Sequence, residues 1–347
     1  MVPENMIVRI GHSGPLRHRP AGFRMLPVML GLLSFTSCSP GAAADPLRPP
    51  LTDMGNIQLP KEPDKPAFDL LTLDSRSGRL YVPHSSVDTL EIVDVKARKV
   101  AGRVANLGGI KGVALTKDQN VVYTSNGHGD VTIIDVAALK STKSIPIGGS
   151  PDAIIYDPLH DLILVAVGGL NQVMVIDPKT QAILGKIPLP GEPELMDVDQ
   201  KSGAVYLAIH DLNQVVILDP VSRSITKTFK GCDIKSPTGV AYDPEQGLLF
   251  VSSSPQLNVI DLVLEQCRGG IDIGGGADQI AFNPHTHHIY TANGGSRNVS
   301  VIDTVTLKPL GVAGSGPEAA TMAVDPTTDL VYVMVARAGI VAVYHDP

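Results

Sequence analysis

The chain repeats one short phrase, an apolar run ending in aspartate, at intervals of 41 or 42 residues. A second phrase precedes each copy and places a turn residue seven positions before a strand residue, as in Asp243 and Phe250. Self-similarity at this period is typical of architectures in which each copy forms one structural unit. The aspartates of the first phrase are Asp94, Asp135, Asp177, Asp219, Asp261 and Asp303, and a seventh copy is due near the C-terminus.

Each copy contains four short strand-like segments divided by turns, with "GVAYD" (239–243) and "LLFVSS" (248–253) as clear examples. Seven copies occupy residues 68–347, and 34 Gly and 28 Pro are spread along the chain as recurring turns require. The sequence therefore predicts an all-β, seven-bladed β-propeller of four-stranded antiparallel blades. In that fold Asp303 makes a turn, because six equivalent aspartates cannot all be catalytic.

The last copy stops after its third strand, so the ring needs a strand from elsewhere. "GNIQLPKEPD" (55–64) resembles "GKIPLPGEPE" (185–194), the outer strand of the third blade and the loop after it. We therefore predict that residues 55–60 supply the outer strand of blade seven and close the ring without a long open edge. The propeller domain is then 55–347, and 45–54 is a linker.

The first 44 residues have the pattern of an export signal. Four arginines precede the apolar run "MLPVMLGLLSF" (25–35), and small residues follow it in "TSCSPGAAADP" (36–46). Two interpretations stay open, cleavage after Ala44 or a lipoprotein box in which Cys38 is lipidated. Both predict a periplasmic or extracellular protein, with a membrane contact only through the lipid anchor.

The charge of the exported part limits its partners. Without residues 1–44 the chain keeps 24 basic and 34 acidic side chains, a net charge of −10. Nucleic-acid binding depends on neutralising phosphates, so this charge makes the chain a poor candidate for binding nucleic acid. We expect a monomer that binds a small cationic or polar ligand or an unidentified envelope protein.

The repeat also resembles a known family. Tyr290-Thr291-Ala292-Asn293 and the following "GGSRNVSVIDT" (294–304) are similar to the unit of the bacterial YVTN-repeat propellers, and Tyr123-Thr124-Ser125-Asn126 is the next best match. The resemblance implies an exported or surface propeller of undefined activity. Some members of the family resemble propeller subunits of periplasmic amine dehydrogenases, and one branch has been linked to DNA binding.

A candidate site lies at the mouth of the central channel, where loops lead from each outer strand to the next inner strand. One residue per blade stands there, five positions before the repeating turn residue, and most of these are charged. Such a ring focuses a negative potential, which suits a cationic or polar ligand, a metal ion or a basic partner segment. The alternative, which stays open, is a solvated acidic rim without a ligand. We call this set the mouth ring: Asp69, Lys111, Asp152, Glu194, Thr238, Asp278 and Ala320.

The loops between the second and third strands add further polar residues to the same face: His84, His128, His210, Asp130, Asp211, Asn293, Arg297 and Arg337. The three histidines could act as general bases beside the mouth carboxylates, as in a lactonase-like hydrolase or an oxidoreductase subunit. This enzyme is the alternative to a binding or scaffolding module. On the opposite face, the "HTHH" turn (285–288) is either a weak metal site or a set of solvated histidines, and we assign no metal.

No motif identifies a cofactor. The chain has no Cys-x-x-Cys-His haem attachment, no Gly-x-Ser-x-Gly elbow and no nucleotide-binding glycine loop. Cys232 ends one outer strand and Cys267 begins the next. These ends point to opposite faces of the propeller, and a disulfide needs Cα atoms within about 7 Å. We therefore predict two free thiols.

Overall fold

Seven four-stranded sheets make up the computed structural model, which describes residues 50–60 and 66–347. The predicted leader, including Cys38 and Ala44, lies outside the described residues. In blade order the strands are β2 (Thr72–Asp74), β3 (Arg79–His84), β4 (Thr89–Asp94), β5 (Lys99–Val104); β6 (Ile110–Leu115), β7 (Val121–Asn126), β8 (Asp130–Asp135), β9 (Lys140–Pro146); β10 (Ser150–Asp157), β11 (Leu162–Gly168), β12 (Gln172–Asp177), β13 (Ala182–Pro188); β14 (Pro193–Val198), β15 (Val205–Ile209), β16 (Gln214–Asp219), β17 (Ser224–Lys230); β18 (Val240–Asp243), β19 (Leu248–Ser253), β20 (Gln256–Asp261), β21 (Gln266–Asp272); β22 (Ala277–Asn283), β23 (His288–Asn293), β24 (Asn298–Asp303), β25 (Lys308–Gly314); and β26 (Thr321–Asp325), β27 (Leu330–Val335), β28 (Ile340–His345) with β1 (Thr52–Gln58). Short 3₁₀ helices at Ser85–Val87 and Ala336–Ala338 connect strands within the first and last blades. The predicted seven-bladed propeller is confirmed.

Blade seven is completed from the N-terminal side, as predicted. β1 pairs antiparallel with β28, with Ile57 opposite Val341. The strand begins at Thr52, so it includes three residues that the sequence analysis placed in the linker. Ile57 is the buried residue of β1, and Leu59, just after the strand, is buried as well. These two side chains fix this segment against its blade.

The core lies between neighbouring blades and not within any single blade. The two middle strands of each blade are buried on both faces, whereas the outer strands are mostly exposed; β11 and β13 illustrate the contrast. Ile302 of blade six, for example, is fully buried in a cluster with Ala241 and Leu248 of blade five. Because every blade is needed to bury its neighbours, the apolar runs read from the sequence are nearly continuous.

The repeating aspartates make turns, as predicted. Oδ1 of Asp303 accepts hydrogen bonds from the backbone N–H groups of Val305 (3.0 Å) and Thr306 (2.7 Å). These two bonds close the turn between β24 and β25. The other five copies accept backbone N–H bonds in the same way: Asp94, Asp135, Asp177, Asp219 and Asp261.

The loops divide between two faces. On the first face, the loop between the second and third strands of a blade is hydrogen-bonded to the loop that precedes the first strand of that blade. In blade two, the N–H of Gly127 donates to the carbonyl of Gly109 (2.8 Å). On the second face, the N–H of Val136 donates to the carbonyl of Asn120 (2.8 Å). The first of these faces carries the mouth ring.

The two cysteines form a disulfide, so the prediction of free thiols is wrong. The Cα atoms of Cys232 and Cys267 are 5.3 Å apart. Strand β17 already ends at Lys230, and the chain then turns through positive φ angles at 231–233. This turn carries Cys232 onto blade five, where Asn258 donates a hydrogen bond to its carbonyl (2.7 Å). The prediction assumed that the cysteine stayed at the strand end.

Within residues 50–60 and 66–347, no helix has the length and apolarity needed to cross a membrane.

Candidate functional site

The mouth ring is a physical ring in which neighbouring members are joined through the backbone. The residue after each of three members donates its N–H to the carbonyl of the next member. Leu70 donates to Lys111 (3.0 Å), Leu195 to Thr238 (3.3 Å) and Gln279 to Ala320 (3.1 Å). The register of the repeat therefore sets the side chains of this ring at one level around the channel.

One ion pair is built into the ring. Nζ of Lys111 lies 2.9 Å from Oδ2 of Asp69. Burial alone would lower the pKa of Lys111, but Asp69, with Asp152 and Asp278 beyond it, raises that pKa. Lys111 is therefore a cation held in place by a surplus of acids.

The remaining carboxylates are short of positive partners. Burial, followed by the negative charges of Asp152, Asp278 and Glu192, raises the pKa of Glu194 to about 7. Burial and the charge of Asp152 raise the pKa of Asp278 to about 6, against the opposing effect of Lys111. Burial raises the pKa of Asp152 as well.

Asp69 completes this electrostatic unit. Burial raises its pKa to about 7, assisted by the charges of Asp152 and Asp278 and opposed by Lys111. Burial raises the pKa of all four acids, and the charges of Asp152 and Asp278 add to the effect on their neighbours, so the mouth favours positive charge.

A cleft of about 380 Å³ opens beside the ring between blades two, three and four, and we call it the side cleft. Lys111, Asp152, Glu192 and Glu194 supply its charged walls, and glycines form much of the rest. Gly149 has a φ of +62°, and a Cβ there would come within 2.6 Å of Val167. A side chain at Gly149 would therefore be strained and would meet its neighbours.

His210 lies against Glu194, one of the residues that line this cleft. The imidazole Nδ1 of His210 lies 3.5 Å from Oε1 of Glu194. The backbone N–H of His210 donates to the carbonyl of Glu192 (2.9 Å). The imidazole is about one-third exposed (37%), so it remains accessible from solvent. Of the three rim histidines predicted from the sequence, His210 is the one placed against an acid of the mouth ring.

Below the ring, a channel cavity of about 950 Å³ runs between the inner strands. Their edges expose backbone groups, which side chains from other blades satisfy. Oε1 of Gln279 accepts hydrogen bonds from the N–H groups of Leu71 (3.2 Å) and Met322 (3.0 Å), and its Nε2 donates to the carbonyl of Leu71 (3.1 Å). One amide thus ties blades one, six and seven together.

Asp197 performs the same task and was missed by the sequence analysis. Its Oδ2 accepts the N–H of Tyr242 (2.8 Å), and its Oδ1 accepts the N–H of Val198 (2.8 Å). Burial raises the pKa of Asp197 to about 6 in spite of these bonds. The signal was available, because the other six blades have Ala, Ile or Thr at the equivalent position.

The other predicted residues lie apart. His84 is fully buried, which corrects its placement on the rim. Its ring stacks on Phe68 with centroids 4.0 Å apart, and its Nδ1 is 3.9 Å from Oε1 of the buried Glu91. His128 is exposed and lies over Gly108 and Gly109, where a Cβ would meet its ring.

Arg297 and Arg337 are exposed in the corresponding loops of blades six and seven. The structure therefore groups Asp69, Lys111, Asp152, Glu194 and Asp278 with His210, and leaves His84, His128, Arg297 and Arg337 outside that group.

The turn histidines of the opposite face are paired with carboxylates. Nδ1 of His288 lies 2.6 Å from Oδ2 of Asp346, and Nδ1 of His285 lies 2.9 Å from Asp329. His160 pairs with Asp157 in the same way (2.6 Å). In the part of the chain that the structure describes, no group of three or more His, Cys, Asp or Glu side chains is arranged to hold a metal ion.

Comparison with known proteins supports the fold. No family model and no curated protein matches the chain. Among solved structures, the chain is similar to hydrazine synthase from Kuenenia stuttgartiensis, with 16% sequence identity and a TM-score of 0.73. The likeness covers 82% of this chain and 96% of that one. At this identity it shows a shared propeller fold and nothing about activity.

Proposed function

We propose that this chain is an exported β-propeller of the cell envelope, a member of the YVTN-repeat group, whose mouth ring binds a cationic organic ligand. The observation that carries the proposal is the set of four carboxylates around one mouth, all with pKa values raised first by burial, with Lys111 already paired to Asp69. A bound cation would offset both the burial and the neighbouring negative charges that raise the pKa values of these acids.

The side cleft gives the cation a place to bind. Its volume of about 380 Å³ suits a small molecule, and Asp152, Glu192 and Glu194 line it. A protonated amine would donate charge-assisted hydrogen bonds to these carboxylates. An organic amine fits better than a metal ion, because no three acidic or histidine ligands converge within the described residues.

Export is supported by two independent features. The arginine-rich, apolar and small-residue pattern of residues 1–44 is typical of a secretory signal. The Cys232–Cys267 disulfide is typical of an oxidising compartment. Cell fractionation with metabolic palmitate labelling tests the anchor: label lost in Cys38→Ala indicates lipidation, whereas an unlabelled protein indicates cleavage near Ala44.

An enzyme is the second candidate, favoured by the placement of His210 against Glu194 beside the side cleft. A histidine next to a carboxylate in a cleft is suited to general-base chemistry. Hydrolysis of a panel of lactones tests this candidate. Turnover that His210→Gln abolishes and His128→Gln leaves intact would favour the enzyme.

Calorimetric titration with spermidine tests the binding proposal. We expect binding by the wild-type protein and a loss of about tenfold or more in affinity for Asp152→Asn combined with Glu194→Gln, because charge-assisted hydrogen bonds are worth about 1.5–3 kcal/mol. Asp118→Asn, an exposed acid on the opposite face, is the matched control. Equal affinities for all three proteins would reject the mouth ring as the site.

A further inference from the structure

The central channel carries a second acidic level below the mouth ring. Glu194 and Asp197 lie on the same inner strand, three residues apart. At about 3.3 Å per residue, these two positions are separated by about 7–10 Å along the strand, the lower value allowing for the β-bulge between Pro193 and Met196. Glu194 lines the side cleft and Asp197 lines the channel cavity.

An apolar belt separates the two levels. The residue two positions after the mouth-ring member lines the cavity in five blades, and it is apolar each time: Val113, Ile154, Met196, Val240 and Ile280. This alternation of acid, apolar belt and acid distinguishes the channel from a simple solvated acidic rim. The cavity has a volume of about 950 Å³, and its wall combines this apolar belt with polar residues such as Asp197 and Gln279, as in many small-molecule sites.

Several other polar side chains of the channel are already engaged. Gln279 bonds to the backbone of two strands, and Oγ1 of Thr72 donates to the carbonyl of Val113 (2.9 Å). Within its turn, the carboxylate of Asp199 accepts hydrogen bonds from the backbone N–H of Lys201 and the hydroxyl of Ser202. Each oxygen of Asp197 accepts one backbone N–H and retains a lone pair. Asp197 is therefore an acid of the cavity wall with capacity for a ligand, and it directly follows Met196 of the apolar belt.

We propose that the channel takes an extended, terminal aliphatic diamine. One ammonium group binds at the mouth ring near Glu194, the hydrocarbon chain lies against the apolar belt, and the second ammonium binds Asp197. This inference rests on the proposed function, because it specifies the ligand class of the same mouth. The apolar belt excludes a hydrated metal ion and favours a methylene chain over a polar linker.

A chain-length series of amines tests the inference by calorimetry. Diaminooctane spans the gap between the two acids, octylamine has the chain without the second charge, and putrescine has both charges on a shorter chain. We expect diaminooctane to bind about tenfold or more tightly than either of the others, since it alone makes both charge-assisted contacts and covers the belt.

Two variants assign the ends of the ligand. Asp197→Asn should reduce the affinity for diaminooctane to that of octylamine and leave octylamine unchanged. Glu194→Gln should weaken both ligands. If Asp197→Asn fails to fold, the wild-type series alone decides, because equal affinities for diaminooctane and octylamine would overturn the inference.

The failures of the two proposals are distinguishable. If octylamine and diaminooctane bind equally and both respond to Glu194→Gln, the mouth binds cations and the two-acid channel is rejected. If none of the amines binds, the proposed function fails and the inference fails with it.

Discussion

The repeating aspartates and the apolar residues before them do different work, although they are adjacent in sequence. Asp303 accepts two backbone hydrogen bonds at a half-buried turn, and Ile302 is fully buried between blades. We predict that Asp303→Ala lowers the free energy of unfolding by about 1 kcal/mol. Ile302→Ala should lower it by about 2–5 kcal/mol. Chemical denaturation of both variants measures this contrast, and equal losses would contradict the assigned roles.

The acids of the mouth ring should make the fold less stable as they ionise. The pKa of Glu194 is raised from 4.5 to about 7, so the folded state holds a proton that the unfolded state has released between those values. The contribution of Glu194 to stability is therefore fully present below pH 4.5 and is lost as the pH rises through 7.

Glu194→Gln removes this titration while keeping the side-chain shape. We predict that the variant melts about 2 °C or more above the wild type at pH 8 and that the difference narrows at pH 5. Thermal unfolding at the two pH values measures it. A variant that is less stable than the wild type at pH 8 would show that Glu194 has a favourable partner.

Single residues are where sequence reasoning was least reliable. The position of Asp152 or Glu194 follows from the repeat, because the register of an inner strand fixes which residue stands at the mouth. The burial of His84 does not follow, since it depends on the stacking of Phe68, a residue outside the strand that carries the histidine. Asp197 was overlooked because its neighbours suggested an apolar strand interior.

At the scale of strands, the closure of blade seven depends on the buried Ile57 of β1. We predict that Ile57→Ala lowers the free energy of unfolding by about 2–5 kcal/mol, because Ile57 is fully buried against Val341 and its neighbours. Asn56→Ala, the exposed neighbour on the same strand, should change it by less than about 0.5 kcal/mol. Equal effects in a denaturation series would mean that β1 does not hold the ring closed.

The disulfide acts on a loop and an outer strand of blade five, 35 residues apart in sequence. We predict that non-reducing peptide mapping recovers Cys232 and Cys267 in one linked peptide. Replacing Cys267 by Ser should cost about 2–4 kcal/mol through the freer unfolded chain. Two separately alkylated cysteines in the unreduced protein would contradict the bond. The sequence could not predict it, because the bond requires the turn at 231–233 to fold back onto the neighbouring blade.

Over the whole molecule, a period of about 42 residues was enough to predict the number of blades, the strands of each blade and the origin of the closing strand. These features follow from local pattern and from the need to leave no open edge. The chemistry of the channel could be predicted only in part, because it depends on which side chains from different blades meet. Lys111 and Asp69 are 42 residues apart in sequence and lie in adjacent blades. Their ion pair engages Lys111, the one basic residue of the mouth ring, with an acid of the same ring.

The dissociation constant of spermidine, measured by calorimetry at pH 8 and pH 5.5, tests the central claim that the mouth is a cation site. The pKa values of Asp69 and Glu194 are about 7 and that of Asp278 is about 6, so all three are ionised at the higher pH and largely protonated at the lower. We predict that affinity falls about tenfold or more on acidification and that the combined Asp152→Asn and Glu194→Gln variant binds more weakly and loses the part of this dependence that Glu194 supplies. An affinity that is the same at both pH values, or the same in the variant and the wild type, would contradict the account.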